Sequence, residues 1–308
     1  MEKNLTITIG IPAHNEASNI GRLLESLQKQ EQVNFSISEI AVISDGSTDK
    51  TENIVHAIAE KDRRVLLFAD GKRLGKPARI NELFARTQSA VVVILDADIL
   101  LEHKKVLQEL LRPLIESPKI MHVSGYALPL PPKNVVEKIA YAGFMIWEHA
   151  RRQPEASALY LSEGSIRAFR RDVYTRLRFP DASADEAYSF LFCAQAQYMF
   201  AWAEKARVFY QLPKTFFDYT HQMKRFLKSN DIQTHSFNDK FVSAYYTIDK
   251  TIKLRSLIQA LSKNFFWTTM YLLSVPIPRV LCFFDKAQSG GIWETVVSTK
   301  SLPKYGNR

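Results

Sequence analysis

The sequence predicts an α/β chain, with a mostly parallel sheet flanked by helices and a basic helical extension toward its C-terminal end. Two observations carry this. Runs of aliphatic and β-branched residues alternate with amphipathic helical patterns, and such continuous apolar strands belong to parallel sheets buried on both faces. Polar clusters close each strand in turn, and ligands of open α/β sheets bind beyond the carboxyl ends of the strands.

Thr6–Ile11 reads as the first strand, ending at Pro12 and followed by a helix with Ile20, Leu23, Leu24 and Leu27 on one face. Glu39–Ser44 is the second strand. Asp49 and Glu52 have the spacing of a capping pair for a helix carrying Ile54, Val55 and Ile58. Val65–Ala69 is the third strand, and Pro77 suits the first turn of a helix that sends Ile80, Leu83 and Phe84 inward. Ala90–Leu95 is the fourth. The clusters PAHNE, DGSTDKT, DGKRLGK and DAD close these strands and are expected to converge on one sheet edge.

Other classes are set aside by composition. The chain is 46% hydrophobic and 24% charged, which is globular rather than disordered. Cys193 and Cys282 lack metal-like spacing and read as buried thiols. The N-terminus lacks the apolar core of a signal peptide, which places the main domain inside the cell. From Lys205 onward there are 16 lysines and arginines against 6 acidic residues, whereas the preceding part holds 25 and 26. These charges are spaced out beside the apolar stretch Phe265–Phe284, which favours an anionic membrane surface over nucleic acid. That stretch has the length of a bilayer crossing but contains Arg279 and two prolines, so an interfacial or re-entrant segment is expected.

Asp96 and Asp98, two residues apart behind a buried strand, form a hard oxygen pair suited to Mg²⁺ or Mn²⁺, or else a solvated turn. Asp45 before Gly46 can accept hydrogen bonds from a base or ribose, or cap a helix. Glu16 can meet a ribose hydroxyl. Lys76, near Lys72 and Arg73, can face a phosphate; both also fit ordinary loop positions. The aromatic residues between Tyr188 and Tyr219 read mostly as core, and Trp147 as a candidate for stacking on an acceptor.

ITIGIPAHNEASNIGRLLESL, ISDGSTDKT, GKRLGKPARIN and ILDADILLE resemble the nucleotide-binding half of the family 2 glycosyltransferases, in the family's order and spacing over residues 5–102. The resemblance implies a GT-A fold and inverting, metal-dependent transfer of a sugar. The donor would be a nucleotide-diphosphate sugar, expected to be a UDP-sugar, and the acceptor a saccharide or lipid-linked hydroxyl at the cytoplasmic membrane face. It assigns the nucleobase to Asp45 and Gly46, the ribose side to Asp96 and the metal to Asp98 with Asp96. Pro12, Asn15 and Glu16 would line the nucleotide pocket near Lys76.

Further along, Ser183-Ala184-Asp185-Glu186 stands where such enzymes carry an acidic motif, with Asp185 as the expected base and Glu186 as its rival. Gln222-Met223-Lys224-Arg225-Phe226 stands for a diphosphate-binding motif, with Gln222 and Arg225 as its contacts. Glu163 and Gly164, with Trp147, would border the acceptor. On this reading residues 1–230 form a catalytic domain, split into a nucleotide half (1–102) and an acceptor half (103–230), and 231–308 is the extension. A sugar nucleotidyltransferase and a non-catalytic nucleotide-sugar-binding subunit are the competing readings.

Overall fold

The computed structural model describes residues 4–180, 184–284, 297–300 and 302. The chain divides into two compact units, one of Met1–Leu128, Ser162–Tyr210 and Lys300–Arg308, the other of Pro129–Leu161 and Gln211–Thr299.

The first unit is built on an eight-stranded sheet. Its parallel half contains β1 (Leu5–Ala13), β2 (Phe35–Ser44), β3 (Val65–Ala69) and β4 (Val91–Leu95), in the order β3-β2-β1-β4. α1 (Ile20–Gln28), α2 (Thr51–Ala59) and α3 (Lys76–Arg86) connect them. The alternation read from sequence is therefore present, with two local differences. β1 continues through Pro12, which pairs with Ile43, and β2 starts four residues earlier because Phe35 and Ile37 are also buried. Asp49 and Glu52 do not form a capping pair. Glu52 accepts from Ser44 Oγ at 2.6 Å, while Asp49 takes the backbone N–H groups of Thr51 and Ala17.

β5 (Ile99–Leu101), α4 (Val106–Glu116) and β6 (Ile120–Pro129) come next. After the crossing into the second unit the chain returns as β7 (Ile166–Arg170), α6 (Arg171–Tyr174), α7 (Asp185–Gln195) and β8 (Met199–Tyr210). β7 pairs antiparallel with β4 and with β6, and β5 pairs antiparallel with β8, so beyond β4 the sheet ceases to be parallel. β1 and β4 lie at its centre. Ile7, Ile9, Ile11, Val91, Val93 and Leu95 fill one face against α1 and α4, and Val92 and Ile94 fill the other against α3. Cys193 is a buried free thiol, as expected; the side chain of Cys282 lies outside the described residues.

The second unit is helical: α5 (Val135–Arg151), α8 (Phe216–Ser236), α9 (Asp239–Tyr246), α10 (Lys250–Lys263), α11 (Phe265–Ser274) and α12 (Pro276–Phe284), with a short 3₁₀ turn at Ala158–Leu161; a second such turn, Val297–Lys300, ends on Lys300, which belongs to the first unit. α5 opens with a reciprocal capping box between Asn134 and Glu137. It approaches α11 so closely that a Cβ on Gly143 would lie 2.3 Å from the Tyr271 ring. The division of the chain thus departs from a 1–230/231–308 boundary, because α5 packs with α10 and α11 rather than with the sheet.

Phe265–Phe284 is broken into α11 and α12 at Val275, where Pro276 opens the second helix. Among the described residues no helix is long and apolar enough to cross a membrane. α11 is also inverted for a water-facing helix. Thr268, Tyr271 and Ser274 are buried, while Phe265, Phe266, Leu272 and Leu273 are exposed.

Candidate active site

Asp45 follows β2 directly and is buried. Its carboxylate accepts the backbone N–H of Leu74 at 2.6 Å and of Gly75 at 3.0 Å, and Arg79 Nε at 3.0 Å. It is thereby taken up in fastening the loop between β3 and α3. Oδ1 takes the Leu74, Gly75 and Arg79 donors, and Oδ2 takes the Gly75 N–H. Gly46 adopts a φ of 63°, and a Cβ there would press 3.0 Å from the backbone of Lys72. The left-handed turn and the close approach both favour glycine.

Arg79, one turn into α3, is 1% exposed and serves four acceptors: Asp45, Asp70 Oδ1 at 2.6 Å, Glu82 Oε2 at 2.9 Å and the carbonyl of Lys72. Burial opposes its charge, but the bonds to Asp70, Glu82 and Asp45 outweigh that and hold its pKa above the ordinary value. The same bond from Arg79 pulls Asp70 down to about 2. Sequence reasoning missed Arg79. A signal was available, since position 79 falls in the inward stripe with Ile80 and Leu83.

Near the end of β1 Pro12 is half-buried, and beyond it Asn15 turns the chain with a φ of 53°. Asn15 Oδ1 accepts from the N–H of Thr48 at 2.8 Å, joining the first two clusters. His14 shares Nδ1 with the carbonyl of Asp45 at 2.8 Å. Glu16 is buried, accepts from Asn19 at 2.9 Å and pairs with Lys300 at 2.7 Å. Burial raises its pKa, against the pull of Lys300.

At the end of β4, Lys76 stands 2.6 Å from Asp96 and 3.3 Å from Asp185, and donates to the carbonyl of Gly164 at 3.5 Å. One ammonium thus joins the β4 tip, the start of α7 and the turn before β7. Asp98 is half-buried. Burial, reinforced by the charges of Asp96 and Glu16, pushes its carboxyl up to about 7. A carboxyl raised by burial and by neighbouring negative charge, with a second hard-oxygen carboxylate two residues away, suits a divalent cation, so the residues present fit one. Among the described residues, no three His, Cys, Asp or Glu side chains stand together as a complete ligand set.

Asp185 opens α7 and is paired with Arg167, whose side chain is fully buried in β7 and also reaches Ser189 Oγ at 3.1 Å. Burial brings the Arg167 pKa down to about 10. With Lys76 on the same oxygen, Asp185 faces two cations. Glu186 is placed differently. Its backbone carbonyl is held by Ser189 Oγ at 2.9 Å, and its carboxyl oxygen would lie 3.3 Å from a Cβ on Gly164, so a hydrogen there leaves it room. Glu163 is anchored through its N–H to Ser124 Oγ at 2.7 Å.

The remaining expected contacts belong to the second unit. Trp147 lies on α5, half exposed and stacked on Tyr160 with centroids 5.8 Å apart. Gln222 is half-buried and Arg225 exposed on α8. Ser183 and the side chain of Phe226 lie outside the described residues. Arg167, Ser189 and Lys300 were not foreseen. Arg167 is a charge within a buried strand, whereas nothing in the sequence around Lys300 connects it to residue 16.

Residues 8–178 match the model of glycosyl transferase family 2. An uncharacterised glycosyltransferase of Haemophilus influenzae is 24% identical over 271 residues, 86% of this chain and 94% of that protein. Two further relatives match over shorter stretches. The putative glycosyltransferase CsbB of Bacillus subtilis is 34% identical over 30% of this chain and 28% of its own length. The glucosyl-3-phosphoglycerate synthase of Mycobacterium tuberculosis is 31% identical over 45% of this chain and 43% of its own length. The mannosyltransferase PcManGT from Pyrobaculum calidifontis, solved in complex with GDP-Man and Mn²⁺, has the same fold with a TM-score of 0.66. It covers 92% of this chain and 88% of its own at 18% identity. The α/β architecture is the GT-A fold, and with more than half of its length matched, the chain belongs to glycosyl transferase family 2.

Proposed function

We propose that the chain is an inverting, metal-dependent glycosyltransferase that moves a sugar from a nucleotide-diphosphate donor, a UDP-sugar, to a hydroxyl of a saccharide or lipid-linked acceptor. The observation that carries this is the Lys76 ammonium standing on both Asp96 and Asp185, which brings donor-side and acceptor-side carboxylates to one place. Glu16 is the ribose contact, with Pro12 and Asn15 beside it, and the fastened loop behind Asp45 and Gly46 forms the nucleobase wall. Asp96 and Asp98 would hold Mg²⁺ or Mn²⁺, with further ligands from the donor; such an ion neutralises charge on a leaving diphosphate. Gln222 and Arg225 are proposed for the same diphosphate, where a guanidinium fork fits phosphate oxygens.

Glu186, not Asp185, is the better base. A base must reach the acceptor hydroxyl with an available oxygen; Arg167 and Lys76 both hold Oδ2 of Asp185 and fix its orientation, whereas the Glu186 carboxyl has room beside Gly164. Asp185 then positions α7 and Lys76. Glu163, Gly164 and Trp147 border the acceptor. The GDP-Man complex of PcManGT and the similarity to the mycobacterial glucosyl-3-phosphoglycerate synthase support a nucleotide-sugar donor. A donor screen by nucleotide release, with UDP-, GDP- and dTDP-sugars and Mn²⁺ or Mg²⁺, tests it. Release from one donor, abolished by EDTA and restored by Mn²⁺, is expected; no release from any donor overturns the reading.

The acceptor is proposed to lie at an anionic membrane face. Phe265 and Phe266 are 70% and 60% exposed, with Leu272, Leu273, Val280 and Leu281 also outward. Lys253, Arg255 and Lys263 are exposed on the preceding helix α10, and Arg279 on α12. An apolar face edged with basic groups suits the interface of an anionic bilayer. Flotation with vesicles containing phosphatidylglycerol is expected for the native chain and strongly reduced for Phe265→Ser/Phe266→Ser, while neutral vesicles bind weakly. Equal flotation of both proteins removes this assignment.

A further inference from the structure

Lys300 comes from the 3₁₀ turn Val297–Lys300, yet its side chain ends at the loop after β1. It is 19% exposed, and its ammonium lies 2.7 Å from Glu16 Oε1. It also donates to the carbonyl of His14 and to that of Asn15 at 3.4 Å. Its own carbonyl accepts from Asn19 Nδ2 at 2.6 Å. Asn19 in turn holds the other oxygen of Glu16. Residue 300 is therefore bound through both main chain and side chain to the loop that carries Glu16.

The charge matters beyond that bond. The Lys300 ammonium acts electrostatically on Asp98 and Asp49 as well as on Glu16, and it lowers the pKa of His14 together with burial and Arg73. Asp96 and Glu16 both act electrostatically on Asp98, so the three carboxylates make a cluster of shared field rather than a ligand set. Beside Lys76 on Asp96, Lys300 is a second fixed cation in that cluster, here on Glu16. A partly buried ammonium is weakly screened, so its field acts on any ion that enters.

We propose that Lys300 is a donor-site residue, a built-in cation that tunes the Glu16–Asp96–Asp98 cluster against a divalent ion and in favour of a nucleoside diphosphate. The proposal rests on the donor-site reading above. It differs from a purely structural pin in the signs it requires. Removing the positive charge deepens the negative potential, so a bare divalent ion should bind more tightly. The same change should weaken an anionic nucleotide offered without metal. A pin would change neither, or would weaken both through loss of order in the loop.

Lys300→Gln tests this best, because its amide can still donate to the carbonyls while the charge is gone. Titration calorimetry of the native chain and of the variant is run with Mn²⁺ alone, and with UDP and GDP separately in EDTA. About tenfold tighter Mn²⁺ and about tenfold weaker nucleotide are expected. Lys300→Arg should leave both near native values. Unchanged affinities in Lys300→Gln, or changes of the same sign, overturn the proposal; so does an Arg variant that behaves like Gln. A native chain that binds neither Mn²⁺ nor nucleotide would instead overturn the donor-site reading itself.

Discussion

Glu186→Gln is expected to lower kcat by about 10²–10⁴-fold, the usual contribution of a positioned proton acceptor, while leaving nucleotide affinity unchanged. The substitution keeps the shape of a side chain that reaches past Gly164, and leaves intact the Ser189 bond that holds the residue's carbonyl. Only the ability to take a proton is lost. Asp185→Asn is expected to behave otherwise. It removes one charge from a pair whose other member, Arg167, is fully buried, so its first effect is on folding. Chemical denaturation of both variants beside their kinetics separates the two. Native kcat in Glu186→Gln, together with an inactive Asp185→Asn of native stability, would return the base to Asp185.

Arg79→Met should cost about 3–5 kcal/mol of folding free energy, as expected when one partner of a buried ion pair is removed. Methionine fills much of the space, but Asp45 is then left with a buried charge and two backbone donors, Asp70 loses its ion pair and Glu82 keeps only Arg86. The comparison is Arg86→Met on the same helix. Arg86 pairs with Glu82 at 3.0 Å but is half exposed, so its loss should cost less than about 1 kcal/mol. Urea denaturation of both measures the difference. Nucleotide affinity should fall in Arg79→Met even at temperatures where it is folded, because the loop from Asp70 to Gly75 loses its anchor. Equal denaturation midpoints for the two variants would refute the role given to Arg79.

The first four strands were legible because β-branched runs such as VVVIL have few structural alternatives. The edge they share was legible because polar residues recur at each strand end. Asp45, Asp96, Asp98 and Lys76 could be named on that basis. Their mutual arrangement could not. That Asp45 is occupied by the Leu74 and Gly75 N–H groups depends on a fold in which residues 45 and 75 meet, and no local pattern reports this. Arg167 and Asp185 are 18 positions apart and reside on a strand and a helix, so their pairing appears only in tertiary structure. The middle of the chain was opaque for another reason. β8 mixes aromatic, charged and small residues, with a burial pattern that fits neither a buried nor a one-sided strand. α5, apolar on much of its surface, reads equally well beside a sheet or among helices, and it takes the second course with α10 and α11.

The loop between β3 and α3 is fastened through backbone atoms: the N–H groups of Leu74 and Gly75 on Asp45, and the carbonyl of Lys72 on Arg79. The side chains of Lys72, Arg73 and Leu74 are exposed and take no part in those bonds. Such a segment can diversify in sequence without loosening its frame, provided both anchors are retained. Homologues with different ligand preferences could therefore exchange residues 72–74 as a cassette, with Gly71 kept for its φ of 71°, and a combinatorial library at these three positions would sample new recognition at little cost in folding.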